Sequence, residues 1–364
     1  MSRDWSRAII MTPRCSGADG VSAVTRLYAH ALTAQMGASV ETLEIWSLDD
    51  PVRAWEDERV VFRAARGSRL RFATFAFRTG RIEPDTLVIV QHVHLLPVAL
   101  PLAWRGACVM LQLHGVEAWK PLRFLERAGC RTAWKIVAVS AHTAARFRHA
   151  NPEFLDRPVE VCAPGLPPMK RAPGVRAAAS YALIVGRMSS EERYKGHDLL
   201  IDIWPRVCGS VPGAQLVIVG GGDDRARLID KAAALGLGGA VRFEGVVDDE
   251  RLAALYRDAA LFVMPSPNEG FGLVYIEAMA AGVPCVVAAG AAEEIVEHEA
   301  TGMVVSPGDT AALEQAVVRL LSSPGERERM GAAAAQTAHG RFSAGAFAGR
   351  LYTVLQLPEV RATC

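Results

Sequence analysis

Short apolar runs recur along this chain of 364 residues, each ending in glycine or polar residues and each followed by a helix-forming segment. That rhythm constrains the fold more than any other feature. Thr86–Gln91, Cys108–Leu113, Gln215–Val219 and Ala259–Met264 are nearly continuous in apolar residues, as strands buried on both faces are. A sheet with one wet face would alternate instead. Arg7–Met11, Val40–Trp46, Ile136–Val139 and Val159–Cys162 are further strand candidates in the first half. Tyr181–Gly186, Val241–Gly245, Val283–Ala288 and Met303–Val305 extend the series in the second. Strands alternating with helices predict an α/β chain with parallel sheets wound on both sides. The pattern breaks at Leu166–Ser180, which holds three prolines and no periodicity. That stretch reads as an interdomain linker. The expected units are therefore 1–170 and 171–342, followed by 343–364, whose Ser343–Leu357 stretch is helical.

Composition narrows the class. Hydrophobic residues make up 51% and charged residues 22%, with no run of eighteen apolar residues. The apolar part of Met1–Met11 is too short for a signal peptide. The seven cysteines are scattered without paired spacing, so they read as buried hydrophobes in a reducing compartment. A cytoplasmic protein is expected. Residues 1–170 hold 22 Lys and Arg against 16 Asp and Glu, a net +6, and the remainder is −5. The excess is densest between Arg59 and Arg81, where seven arginines interleave with Phe62, Leu70, Phe72, Phe75 and Phe77. Segment 59–81 is either a peripheral contact for the anionic inner face of a membrane or an amphipathic helix packed on its own domain. No nucleic-acid-binding module accompanies the charge, so nucleic acid is not an expected partner.

The chemistry concentrates in the second half. Pro265–Glu277 follows one apolar run and leads into the helix former Tyr275–Ala281, which Gly282 and Pro284 stop. Gly270 and Gly272 let the backbone approach a ligand closely, and a helix N-terminus offers unpaired N–H groups and a positive dipole end. Glu269 and Glu277 could accept hydrogen bonds from different parts of a hydroxyl-rich ligand. The plain alternative is an ordinary strand–loop–helix turn. Arg187 directly follows the strand ending at Gly186, and Lys195 precedes the amphipathic helix His197–Trp204. A guanidinium fork and an ammonium point charge there could converge on one diphosphate. Otherwise they are solvated surface cations.

Glu269-Gly-Phe-Gly-Leu-Val-Tyr-Ile-Glu277, with Gly186-Arg187 and Lys195-Gly196, resembles the signature of retaining glycosyltransferases of family 4. Their fold, GT-B, pairs two facing Rossmann-like domains. The resemblance implies a second domain that binds a nucleotide sugar and a first domain that receives the acceptor. It places Gly186, Arg187 and Lys195 at the diphosphate, Glu269 on the sugar hydroxyls and Glu277 on the ribose. Gly270, Phe271, Gly272 and Leu273 complete the donor side. His114, just past Cys108–Leu113, resembles the family histidine that reaches the donor sugar near the reacting carbon, so His114, Arg187, Lys195 and Glu269 form the expected catalytic set. On the acceptor side the resemblance points to Gly17 and Gly20 in the first strand–helix loop and to Ser140. Glu117, with Trp119 and Lys120, could help shape that site. The loop lacks a dinucleotide fingerprint, and Gly17-Ala-Asp-Gly20 departs from the family's paired glycines, which leaves the acceptor class open. His92 and His94 read as structural.

What the resemblance implies is a metal-independent hexosyltransferase that retains anomeric configuration. The donor would be a UDP- or GDP-sugar, and the acceptor a glycan or a lipid-linked glycan of bacterial polysaccharide synthesis. No cofactor is expected beyond that donor. The sequence contains no Asp-X-Asp, so positive side chains would stand in for a metal ion. Two rivals remain: a catalytically silent partner subunit, and a nucleotide-sugar epimerase of the same fold.

Overall fold

The structure, a computed structural model, describes residues 3–168 and 181–357. Most of the expected linker, 169–180, lies outside the described residues. The chain forms two compact units: one runs to Pro167 and resumes at Ser343, the other runs from Pro168 to Phe342.

The first unit is built on β1 (Trp5–Thr12), β2 (Val40–Ser47), β3 (Val61–Ala64), β4 (Thr86–Val90), β5 (Cys108–Leu113), β6 (Lys135–Ala138) and β7 (Val159–Val161). All pair in parallel, in the order β3-β2-β1-β4-β5-β6-β7. In register, Ile9 lies opposite Glu44 on one side and Val88 on the other. Ala8–Met11 and Leu87–Val90 are wholly buried, because helices cover both faces of a parallel sheet. Each fully buried Ile or Leu there contributes about 1.5–3 kcal/mol. Helices Gly20–Ala34, Arg69–Arg78, Leu96–Trp104, Phe124–Thr132 and Ala141–Ala150 provide the cover. The returning helix Ala344–Leu355 packs on Gly20–Ala34. There the Phe347 ring meets Tyr28 edge-on at 5.5 Å, and the Tyr352 hydroxyl donates to the Ala31 carbonyl at 3.0 Å.

Residues 59–81 do not form one amphipathic helix. Val61–Ala64 is the edge strand β3, the chain turns through Arg66 and Gly67 at positive φ, and only Arg69–Arg78 is helical, capped by Ser68. The reason is visible at Arg63. It pairs with Glu44 of β2 at 2.9 Å, while Arg7 of β1 binds the other oxygen of that carboxylate. A half-buried arginine with a partner on the next strand holds the segment in the sheet.

The second unit holds β8 (Tyr181–Val185), β9 (Gln215–Val219), β10 (Val241–Gly245), β11 (Leu261–Met264), β12 (Cys285–Ala288) and β13 (Gly302–Val305). They too are parallel, in the order β10-β9-β8-β11-β12-β13. Strand order reverses between β8 and β11, and open α/β sheets bind ligands at such a point, beyond the carboxyl ends of the strands. The equivalent reversal in the first unit lies between β1 and β4. Helix Leu273–Ala280 starts two residues before the expected Tyr275, which makes Gly272 its cap. The described cysteines are all free. Among the described residues no helix is long and apolar enough to cross a membrane.

Candidate functional site

In the second unit the ends of β8 and β11 carry the expected donor residues. Gly186 matters for what it lacks: a Cβ there would come within 3.3 Å of the Lys195 stem. Glycine thus lets Lys195 lie along the strand end. Lys195 Nζ donates to Glu269 Oε1 at 3.1 Å, and the Ser266 hydroxyl donates to the same oxygen at 3.0 Å. Both members of this ion pair are largely buried. Arg187 extends into solvent and donates to Glu192 through Nη2 at 2.6 Å and Nε at 3.1 Å. Tyr194 links the two pairs. Burial pushes its hydroxyl pKa up, and Glu192 and Glu269 push it further while Arg187 opposes them. Arg187, Glu192, Tyr194, Lys195 and Glu269 thus share one electrostatic neighbourhood.

The loop after β11 is packed rigidly. Gly272 has φ +98°, and a Cβ on it would fall 2.3 Å from the Tyr275 ring. Tyr275 cannot yield easily, because its hydroxyl donates to the Met264 carbonyl at 3.1 Å. Phe271 is buried edge-on against Phe342 at 5.7 Å. Gly270 lies between Glu269 and this aromatic contact, and Leu273 opens the helix. Glu277, on the same helix, accepts from the Tyr256 hydroxyl at 2.9 Å, and burial pushes its carboxyl pKa up. The turn bearing Lys195 is tied down by Arg193, which binds Asp224 at 2.9 and 3.0 Å. Arg227 joins Asp224 to Asp198, and its hydrogen bonds hold the Asp198 carboxyl down at about 2.

In the first unit the expected residues also gather at strand ends. His114 Nε2 lies 3.0 Å from Gln91 Oε1 at the end of β4. Burial pushes its imidazole down to about 4, with Glu117 and Asp19 pulling the other way and His92 adding to the fall. His114 is therefore neutral near pH 7. Glu117 Oε1 accepts from the backbone N–H of His114 at 2.6 Å and of Gly115 at 3.1 Å, closing the turn after β5. Ser140 is buried and caps Ala141–Ala150 by accepting from Thr143 N–H at 3.0 Å. The Gly17 carbonyl accepts from Arg26, and Gly20 is the first residue of its helix. His94 binds Glu126 at 2.6 Å, and His92 Nδ1 accepts from the His94 N–H at 3.2 Å.

Sequence spacing pointed to neither Glu192, Tyr194, Tyr256 nor Gln91. Glu192 and Tyr194 lie at the start of and within the single 3-10 turn Arg193–Lys195, and Tyr256 and Gln91 reach their partners from neighbouring elements. Only tertiary contact reveals any of them. Among the described residues no group of three or more His, Cys, Asp or Glu is arranged to hold a metal ion.

Comparison with known proteins places these features in context. The profile of the family described as "Glycosyl transferases group 1" matches residues 169–337. An uncharacterized glycosyltransferase of Methanocaldococcus jannaschii is 39% identical over 160 residues, which span 44% of this chain but only 40% of that protein. A GDP-mannose-dependent alpha-(1-6)-phosphatidylinositol monomannoside mannosyltransferase of Mycolicibacterium smegmatis is 35% identical over 263 residues, covering 65% of this chain and 68% of that one. Among solved structures, sucrose-phosphate synthase from Thermosynechococcus elongatus aligns with a TM-score of 0.79 at 23% identity, over 96% of this chain and 99% of that one.

Proposed function

Because this chain belongs to the group 1 glycosyl transferases and has an α/β fold of the GT-B type, we propose that it moves a hexose from a UDP- or GDP-sugar to a glycan or lipid-linked acceptor. The proposed reaction retains anomeric configuration, needs no metal ion, and serves bacterial polysaccharide or glycoconjugate synthesis on the cytoplasmic side of a membrane. One observation carries the reading: Lys195 and Glu269 pair at the point where strand order reverses in the second unit, with Arg187 just past the end of β8 beside them. The relative whose name specifies GDP-mannose supports a nucleotide-sugar donor.

In this reading the bond from the anomeric carbon to the diphosphate oxygen breaks, and its electron pair leaves with the diphosphate. Arg187 and Lys195 neutralise the charge that gathers there, aided by the N-terminus of helix Leu273–Ala280. The acceptor hydroxyl oxygen bonds to the same face of the anomeric carbon, through an oxocarbenium-like species, and its proton passes to a leaving-group oxygen. Glu269, already aimed at a cation, accepts from sugar hydroxyls and orients the ring. Glu277 receives the ribose hydroxyls. His114, held neutral, can exchange hydrogen bonds with a hydroxyl without adding charge, and Gly17, Gly20, Glu117 and Ser140 belong to the acceptor side.

Lipid contact is part of the proposal. Leu70 and Phe77 are strongly exposed and seven residues apart on one helix, flanked by Arg69, Arg71 and Arg78. Trp104, on a helix that touches this one, is exposed as well. Such a surface suits anionic lipid.

Incubation with UDP- and GDP-hexoses and candidate acceptors, in the presence of chelator, tests the reading. A product whose anomeric proton coupling matches the donor's configuration supports it. An inverted product, or activity that chelation abolishes and a divalent ion restores, overturns it.

A further inference from the structure

Both cations assigned to the diphosphate are paired with carboxylates. Lys195 is held by Glu269, which the proposed reaction uses. Arg187 is held by Glu192, for which that reaction has no role. The Arg187–Glu192 pair is a two-point fork, through Nη2 at 2.6 Å and Nε at 3.1 Å. The two partners are unequally placed: the arginine side chain is 62% exposed and the glutamate 19%.

The loop around Glu192 is anchored on both sides. Glu192 N–H donates to the Ser189 carbonyl at 2.9 Å, and its own carbonyl accepts from Lys195 N–H at 3.0 Å. Ser190 is fixed to Asp223, and Arg193 to the buried Asp224. The backbone carrying the carboxylate is therefore held in place, while the guanidinium reaches it from the solvent side. An ion pair this exposed adds little to folding stability, so fold stability does not explain why it is built into an anchored loop.

We propose that Glu192 is a built-in competitor for the donor diphosphate, holding Arg187 until a more highly charged ligand takes the fork and reclaiming it as the nucleoside diphosphate leaves. The proposal rests on the assignment of Arg187 to the diphosphate. A diphosphate offers more charge and more acceptor oxygens than one carboxylate, so it wins the guanidinium. The affinity left is lower than Arg187 and Lys195 would give unopposed, which favours product release.

The test is calorimetric titration of UDP and of GDP into the wild-type protein, Glu192→Gln, Arg187→Ala and the double variant, at low salt. Glu192→Gln is expected to tighten binding of the preferred nucleotide roughly three- to fivefold. In the Arg187→Ala background it is expected to change nothing, since no guanidinium is left to release. Failure of Glu192→Gln to tighten binding, while Arg187→Ala weakens it, overturns the competitor and leaves the diphosphate site intact. Equal tightening in both backgrounds overturns it too, because the effect would then be general charge. If Arg187→Ala leaves nucleotide binding unchanged, the diphosphate assignment fails and the competitor with it.

Discussion

Replacing Gly272 with alanine probes whether the loop after β11 is as tightly determined as its geometry indicates. Two separate costs arise. An L-residue in the left-handed region that Gly272 occupies loses about 1–2 kcal/mol. The new methyl also falls 2.3 and 2.4 Å from two ring carbons of Tyr275. That ring is wholly buried, bonded through its hydroxyl to Met264 and packed edge-on against Phe262 at 5.9 Å. Relief has to come from shifting the loop or the helix, an overpacking cost of about 1–3 kcal/mol. The sum is about 2–5 kcal/mol. Gly213→Ala is the control: its φ is +81°, yet nothing lies within 4 Å of a Cβ there. It incurs only the backbone term, about 1–2 kcal/mol. For a unit of this size each kcal/mol lowers the midpoint by about 2–4 °C. Scanning calorimetry should therefore show a drop of roughly 4–20 °C for Gly272→Ala and roughly 2–8 °C for Gly213→Ala. Only the first should weaken nucleotide binding, since only it moves the backbone between Glu269 and Glu277. Equal drops, or a folded Gly272→Ala protein with wild-type nucleotide affinity, would refute the reasoning.

Two further outcomes are expected. Burial holds His92, His114 and His197 down at about 4, whereas the unfolded chain titrates near 6.5. Between those values the unfolded state binds more protons, so stability is full above about pH 6.5 and falls as pH drops toward 4. Urea midpoints across that range should trace the fall, and His114→Gln should make it shallower; an unchanged slope would mean that His114 is not buried in its neutral form. Leu70→Ser with Phe77→Ser should reduce sedimentation with anionic vesicles severalfold while leaving binding to neutral vesicles low and the melting midpoint unchanged; undiminished sedimentation removes this helix from the lipid contact.

Much of the fold was legible because parallel strands buried on both faces leave unbroken apolar runs. β4, β5, β9 and β11 stand out in the chain for that reason. β3 did not, because an edge strand of four half-exposed residues has no such run, and the arginines around it imitate a helix face. What placed it was a partner across the sheet, Glu44. Helix Leu96–Trp104 was hidden by Pro97 and Pro101, tolerated at its first turn and interior, and Pro324–Arg341 by an alanine-rich stretch without a clear apolar face. Spacing in the chain brought out Arg187 just past β8, Glu269 after β11 and Lys195 in the turn before helix His197–Ser210, and the last two do pair. Glu192, Tyr194 and Tyr256 were not legible, because they act through neighbours rather than through spacing. Glu117 and Ser140 show the opposite limit. Their side chains close a turn and cap a helix, work that sequence alone cannot separate from ligand contact.

In the proposed reaction Arg187 and Lys195 hold the diphosphate of a nucleotide sugar. Calorimetric titration of a panel of nucleotide sugars in the presence of chelator, repeated with Arg187→Ala and Lys195→Ala, tests it most directly. One donor is expected to bind, and each substitution to weaken it by about tenfold or more, the loss of charge-assisted hydrogen bonds. A protein that binds no nucleotide sugar, or variants that bind as the wild type does, would contradict it.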